Sequence, residues 1–426
     1  MRRFGWWLGA ATLSSTGTQV MGFAMAWSAA GWGGAWAGLV LTAIVVPRGL
    51  LLLVGGAVAD RIGAWQVMIA ADVAMAGVTL SLALVAWRIT DHPAVLVAAA
   101  LVIGIADAFY LPSTGSMPRR LVTPAHLTRA ASARQLAGQL AAFAGPALGG
   151  VLVSADGLPL AAVINAATFV GMAAVLLLIR PRSSIVAPEA RRRQRVRLAS
   201  ALVSQRASFS MQDASMLKEK AEGQGQGRSS AEVEEKSSEG RREIRDGLRV
   251  AFSDLVMRRA LLLTAVAAFF LLPVTSSLIP ILAHQRHWPA TEAGLIAGMI
   301  ALVSAFIALL VLKTGKRPNL THGLLLAAAG ALGLGLARHP FPAIAAAVII
   351  GAGVGMFATG IAPLLLARAP ETHLARMQAI VVWVQSVPLL LAHTVLGSLT
   401  DVVGAGAVLV GCAVLLTISI FTVGPV

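Results

Sequence analysis

The chain is written in long apolar runs separated by short polar punctuation. Runs of about twenty residues occupy 6–29, 36–58, 66–87, 94–117, 133–155 and 158–180. They recur at 259–283, 291–312, 321–338, 341–367, 378–400 and 403–423. About twenty helical residues cross the roughly 30 Å of hydrocarbon in a bilayer. Strands of a membrane barrel would instead read as alternating segments of about ten residues. Backbone polar groups in lipid must be paired within the segment, so helices are the physical solution for these runs. The pattern predicts an all-α polytopic membrane protein with twelve transmembrane helices, six on each side of a polar interruption. Met1-Arg2-Arg3 followed by apolar residues has the look of a signal peptide. Its run is long and many like it follow, so it reads as the first span.

Charge is unevenly distributed. Apolar residues make up 57% of the 426 and charged residues 12%, about half the charge of an ordinary soluble domain. Residues 180–259 hold 29 of the 53 charged side chains, and the remaining 346 residues hold 24. An ordinary cytosolic enzyme is thereby excluded. The expected organisation is a six-helix bundle over 1–180, a largely disordered cytoplasmic linker over 181–257 and a second bundle over 258–426. The stretch from Gly223 to Ser230 is too polar to bury a core against chain entropy. Arg191–Arg197 flanks a membrane exit and suits contact with lipid headgroups.

A net charge of +15 invites a polyanion-binding reading, but its distribution describes topology. With the N-terminus inside, twelve Lys and Arg of the short loops fall inside. Only Arg88, Arg286 and Arg338 fall outside. Positive residues collect in cytoplasmic loops, so both termini and the insert are expected in the cytoplasm of a bacterial inner membrane. Small-molecule substrate and membrane lipids are the expected partners, with no nucleic acid, and the chain is expected to be a monomer. The single cysteine, Cys412, excludes an intramolecular disulfide. The eight histidines have no ligand partners at metal spacing, so no metal is expected. No phosphate-binding G-x-x-x-x-G-K-[ST] loop is present. No cofactor is expected, and any uphill work must draw on an ion gradient, with protons the expected source.

The loop after the second run reads Gly55-Gly56-Ala57-Val58-Ala59-Asp60-Arg61-Ile62-Gly63-Ala64-Trp65. Small residues permit close helix approach, Asp60 suits a helix start or a cation across the bundle, and Gly63 permits a tight turn. Here the chain resembles the major facilitator superfamily, whose loop motif is G-x-x-x-D-R-x-G-R-R. Gly56, Asp60, Arg61 and Gly63 match, while Ala64 and Trp65 stand where two basic residues are usual. The equivalent loop of the second half, Leu312-Lys313-Thr314-Gly315-Lys316-Arg317, keeps the basic tail and has Leu312 in place of the acid. The resemblance implies two six-helix repeats and a gating role for Asp60, Arg61, Lys313, Gly315 and Arg317.

The fifth run ends Gly145-Pro146-Ala147-Leu148-Gly149-Gly150. Proline kinks a membrane helix and glycine allows close packing. The tail is also similar to a motif of the antiporter branches, where it shapes a closing interface. Further similarity is to bacterial macrolide and siderophore exporters, in Pro47-Arg48, Asp72, Pro118-Arg119-Arg120 and the Arg376 loop. The resemblance implies export of small amphiphilic molecules by proton antiport. The same architecture permits proton symport or facilitated uptake of a small metabolite. An enzymatic role is not expected, because the acids outside the insert are few and scattered.

Three charges lie at membrane depth: Arg48, Asp72 and Asp107. Such residues face cavities or partners. Asp107 is the deepest and is a candidate coupling or substrate site, or else a structural hydrogen-bonded acid. Arg48 and Asp72 are candidates to pair with each other, and Arg48 alone suits an anionic substrate. Gln19, Trp27, Tyr110, Asn165, Trp383 and Gln385 are candidates to line a central cavity.

Overall fold

A computed structural model describes residues 2–90, 92–179, 254–315, 318–368 and 374–424. Most of the expected linker lies outside the described residues. Arg317 does too.

The described chain is helical throughout its spans. The first half comprises α1 (Arg2–Ala30), α2 (Gly34–Ile62), α3 (Ala64–Arg88), α4 (Pro93–Leu121) and the long α5 (Leu127–Leu178). α5 is two spans: Asp156 and Gly157 leave helical geometry, with Gly157 at φ 69, at the break between the fifth and sixth apolar runs. The second half begins with α6 (Leu255–Pro273), a π-helical turn (Val274–Leu278) and α7 (Ile279–Gln285), which together make one span. It continues with α8 (Ala290–Thr314), α9 (Leu320–Leu336), α10 (Pro340–Arg368), α11 (Leu374–Val403) and α12 (Ala405–Val423). Among the described residues these make twelve helical segments, six in each half. Nine helical stretches of the described residues are long and apolar enough to cross a membrane by themselves, and the one containing α5 is long enough for two crossings, with its kink between them. α9 is short at 17 residues, and α1 carries the polar run Ser14–Gln19.

Local chemistry sets the helix ends. Gly63, at φ 116, ends α2 and starts α3. That backbone is unfavourable for residues with a Cβ. Asn319 caps α9 by accepting from the His322 N–H, and Pro93 occupies the first turn of α4, where its missing N–H costs nothing. The π-turn lies between Pro273 and Pro280, neither of which can donate to the helical ladder.

Within the first half α1 packs on α5, α2 on α4, and α3 on α4 and α5. Within the second, α8 and α9 pack on α10, α9 on α12, and α6 on α11. Across the halves α2 meets α11, α5 meets α8, and α1 meets α7. We call the face where α1 begins the near face and the face where it ends the far face. On the far side one hydrophobic core is common to both halves. It runs from Ala24 and Val40 to Leu278, Ile296 and Leu396. On the near side the core is divided. Trp7, Met68, Met117 and Met172 form a cluster within the first half, and Leu261, Leu324, Leu365 and Leu416 form one within the second. The halves are thus joined at the far face and separately cored at the near face.

Candidate functional site

A cavity of about 360 Å³ lies between the halves, at the depth where the shared core ends. Its walls are largely apolar, with Phe23, Phe169 and Leu272 among them. Its polar lining comes from both halves, and includes Gln19 and Asn165 from α1 and α5 and Ser276 from the π-turn. Its ionisable residues are Arg48 (α2), Asp107 (α4) and His393 (α11).

Arg48 and Asp107 form an ion pair, Nη1 to Oδ2 at 3.6 Å. Close packing of their helices brings them together. A Cβ on Gly104 would meet the Ile44 carbonyl and the Pro47 ring, and one on Gly55 would meet the Ala108 carbonyl. The guanidinium is the open partner. The Arg48 side chain is 35% exposed and that of Asp107 11%, so the cavity presents the cation with the acid behind it.

This corrects the expected Arg48–Asp72 pairing. α3 packs on α4 and α5, and Asp72 turns into that packing. It is fully buried, and neither carboxylate oxygen has a hydrogen-bond partner among the described residues. Its charge neighbourhood includes Tyr110, which packs with the near-side core of the first half. Asp72 and Tyr110 therefore sit together behind the cavity. Trp383 and Gln385 are also outside its lining, and Trp383 is 61% exposed. Trp27 packs against His284 with ring centres 4.2 Å apart and the rings tilted at 58°, joining the end of α1 to α7.

Polar contacts close the far face. The Asp401 carboxylate, near the end of α11, accepts from the N–H of Gly34 at 2.6 Å and Ala35 at 2.8 Å. Thr42 and Thr394 share a hydrogen bond of 2.8 Å between α2 and α11. Gln285 donates to the Thr400 carbonyl and accepts from Ala405 N–H, tying α7 to α11 and α12. The Gly-Pro segment of α5 forms the other seam. A Cβ on Gly145 would meet Gln19, one on Gly149 Phe23, and one on Gly150 the Ala290 carbonyl. Gly294 lies in turn against the Pro146 carbonyl. The segment therefore packs α5 against both α1 and α8.

The near-face loop residues are open. Asp60 and Arg61 are exposed, and neither makes an ion pair with a described residue. Gly56 is half-buried with Pro112 its nearest neighbour. Trp65, in place of a motif cation, donates through Nε1 to the Leu176 carbonyl at 3.1 Å. It ties the start of α3 to the end of α5 by a hydrogen bond where the motif would use charge. Lys313 is exposed, and Gly315 ends α8 at φ 66. Arg376 lies in the first turn of α11, and its side chain is outside the described residues.

His393 was not singled out by sequence reasoning. It is a lone histidine in an apolar run, and only the fold places it opposite Arg48. Among the described residues no three His, Cys, Asp or Glu side chains gather as a metal site.

The family model described as Major Facilitator Superfamily matches residues 7–393. No curated protein matches the sequence. Several solved structures share the fold. A bacterial homologue of the human lysosomal transporter Spinster, inward-facing and unoccupied, aligns with TM-score 0.69 at 14% identity, covering 98% of this chain and 95% of that one. A bacterial homologue of the iron transporter ferroportin, inward-facing, aligns with TM-score 0.66 at 16% identity over 99% and 98%. A D-xylose–proton symporter aligns with TM-score 0.63 at 14% identity over 96% and 97%.

Proposed function

This chain belongs to the major facilitator superfamily, and from that premise we propose that it takes up a small solute in symport with protons. As a secondary carrier it makes and breaks no covalent bond. Two helical bundles rock about a central site that opens to one face at a time. The observation that carries the coupling reading is the Arg48–Asp107 pair in the cavity wall. A charge left unpaired at this depth is costly. Neutralising Asp107 with a proton frees Arg48 for a solute, and releasing the proton re-forms the pair and displaces it. Proton and solute then bias the same two-state equilibrium. The near face, rich in Arg and Lys, is the cytoplasmic one in this reading, with both termini there in a bacterial inner membrane. The resemblance to the solved transporters above is one of fold.

Export of amphiphilic molecules by proton antiport is the second reading. It rests on the Gly145–Gly150 segment, which resembles a motif of antiporters and lies at the α5–α8 seam. Proteoliposomes of known orientation, screened with radiolabelled small solutes under an imposed pH gradient, separate the two. Solute moving in the direction of proton flow supports symport; solute moving against it supports export.

A further inference from the structure

The cavity carries an asymmetry in hydrogen-bonding capacity that bears on what it holds. Ser277, in the π-turn, donates its hydroxyl to the Pro273 carbonyl at 3.0 Å. A carbonyl only accepts, and a serine hydroxyl has one proton. The 3.3 Å contact between Ser277 Oγ and His393 Nδ1 must therefore be donated by the imidazole. This fixes the tautomer: in neutral His393 the proton is on Nδ1, and Nε2 is a bare acceptor. His393 is 3% exposed and lines the cavity, and Nε2 has no hydrogen-bond partner among the described residues. The Arg48 guanidinium lines the same cavity from α2, which packs on α11, close enough for charge to act between the two side chains, and two adjacent cations in an apolar cavity would repel. The site thus offers a cationic donor fork on the first half and a neutral acceptor on the second, in a cavity whose walls are largely apolar.

We propose that the cavity selects a small organic anion that also carries a hydrogen-bond donor, with the anionic group on Arg48 and the donor hydroxyl or N–H on Nε2 of His393. This rests on the carrier reading above and adds its substrate class. His393 is then the specificity-determining residue of the second half, and Ser277 positions it by holding the tautomer. A solute spanning both groups links the halves, and the π-turn is where the second half feels it.

The test uses purified full-length protein and three probes of one shape: mandelate, phenylacetate (no hydroxyl) and 1-phenyl-1,2-ethanediol (no anion). Affinity is read by isothermal titration. A site built to bond a hydroxyl discriminates against the analogue lacking it. Mandelate should bind about tenfold or more tightly than either analogue. His393→Leu should bring mandelate and phenylacetate to equal affinity while keeping both ahead of the diol. Arg48→Gln should bring mandelate down to the diol. Ser277→Ala, a smaller change that leaves the imidazole in place, should reduce the mandelate preference by releasing the tautomer. Equal or absent binding of all three probes to the unaltered protein overturns the proposal, as does an unchanged mandelate-to-phenylacetate ratio in both His393→Leu and Ser277→Ala. If reconstituted protein carries solutes with no preference for anions, this inference fails and the carrier reading stands. If it carries none of a broad solute panel, the carrier reading fails as well.

Discussion

Asp401 caps a helix that belongs to the other half of the molecule: its carboxylate accepts the backbone N–H of Gly34 at 2.6 Å, in the first turn of α2. The first N–H groups of a helix have no intrahelical partner and carry partial positive charge. Gly33, at the cap position, has no side chain to satisfy them. The second half supplies the anion, so the cap exists only while the far face is closed. In the proposed alternating-access cycle it is a latch, its bonds breaking as the far face opens.

Removing the latch should favour the far-open state. Loss of a capping side chain costs about 1 kcal/mol, roughly a fivefold change in an equilibrium. In a Cys412→Ser background, a cysteine at Val40, buried in the shared core, should react with maleimide about fivefold faster when Asp401 is changed to Ala. An unchanged rate would show that the cap does not hold the far face shut.

The α5–α8 seam should be intolerant of bulk. Gly150 and Gly294 each approach a carbonyl of the opposing helix, and overpacking costs about 1–3 kcal/mol. Gly150→Val and Gly294→Val should lower initial flux about tenfold or more per protein inserted. Spin-label distances across the far face should lengthen in both. Normal flux in either variant would remove the seam from the mechanism.

Asp60 should matter for cycling and not for the stability of this conformation. It is exposed and makes no ion pair with a described residue, and surface substitutions of that kind change stability by about 0.5 kcal/mol or less. Asp60→Asn should leave the melting temperature unchanged within error while slowing flux, as the gating role implied by its loop motif requires. A large loss of thermal stability would assign Asp60 a structural role here instead.

The fold was legible because a bilayer constrains sequence more strongly than water does. Apolar runs mark the spans, and even the break at Asp156–Gly157 falls between two of them. Depth along a helix was legible too, which is why Arg48 and Asp107 stood out. Rotation about the helix axis was not. A run that is apolar on all sides has no polar stripe to show which face meets a neighbour. Asp72 on α3 is therefore as good a candidate partner for Arg48 as Asp107 on sequence alone, whereas the glycines at 55 and 104 bring α4 against α2. The same blindness put Trp383 in the cavity and left out His393, whose role depends on a π-turn 116 residues away in sequence.

The most direct test of the account is proton-coupled flux by Asp107→Asn protein in proteoliposomes, beside the unaltered protein. Asparagine keeps the shape of the side chain and cannot carry the proton. Solute exchange at equal pH should survive in the variant, while accumulation driven by a pH gradient should be lost. Gradient-driven accumulation equal to that of the unaltered protein would contradict it.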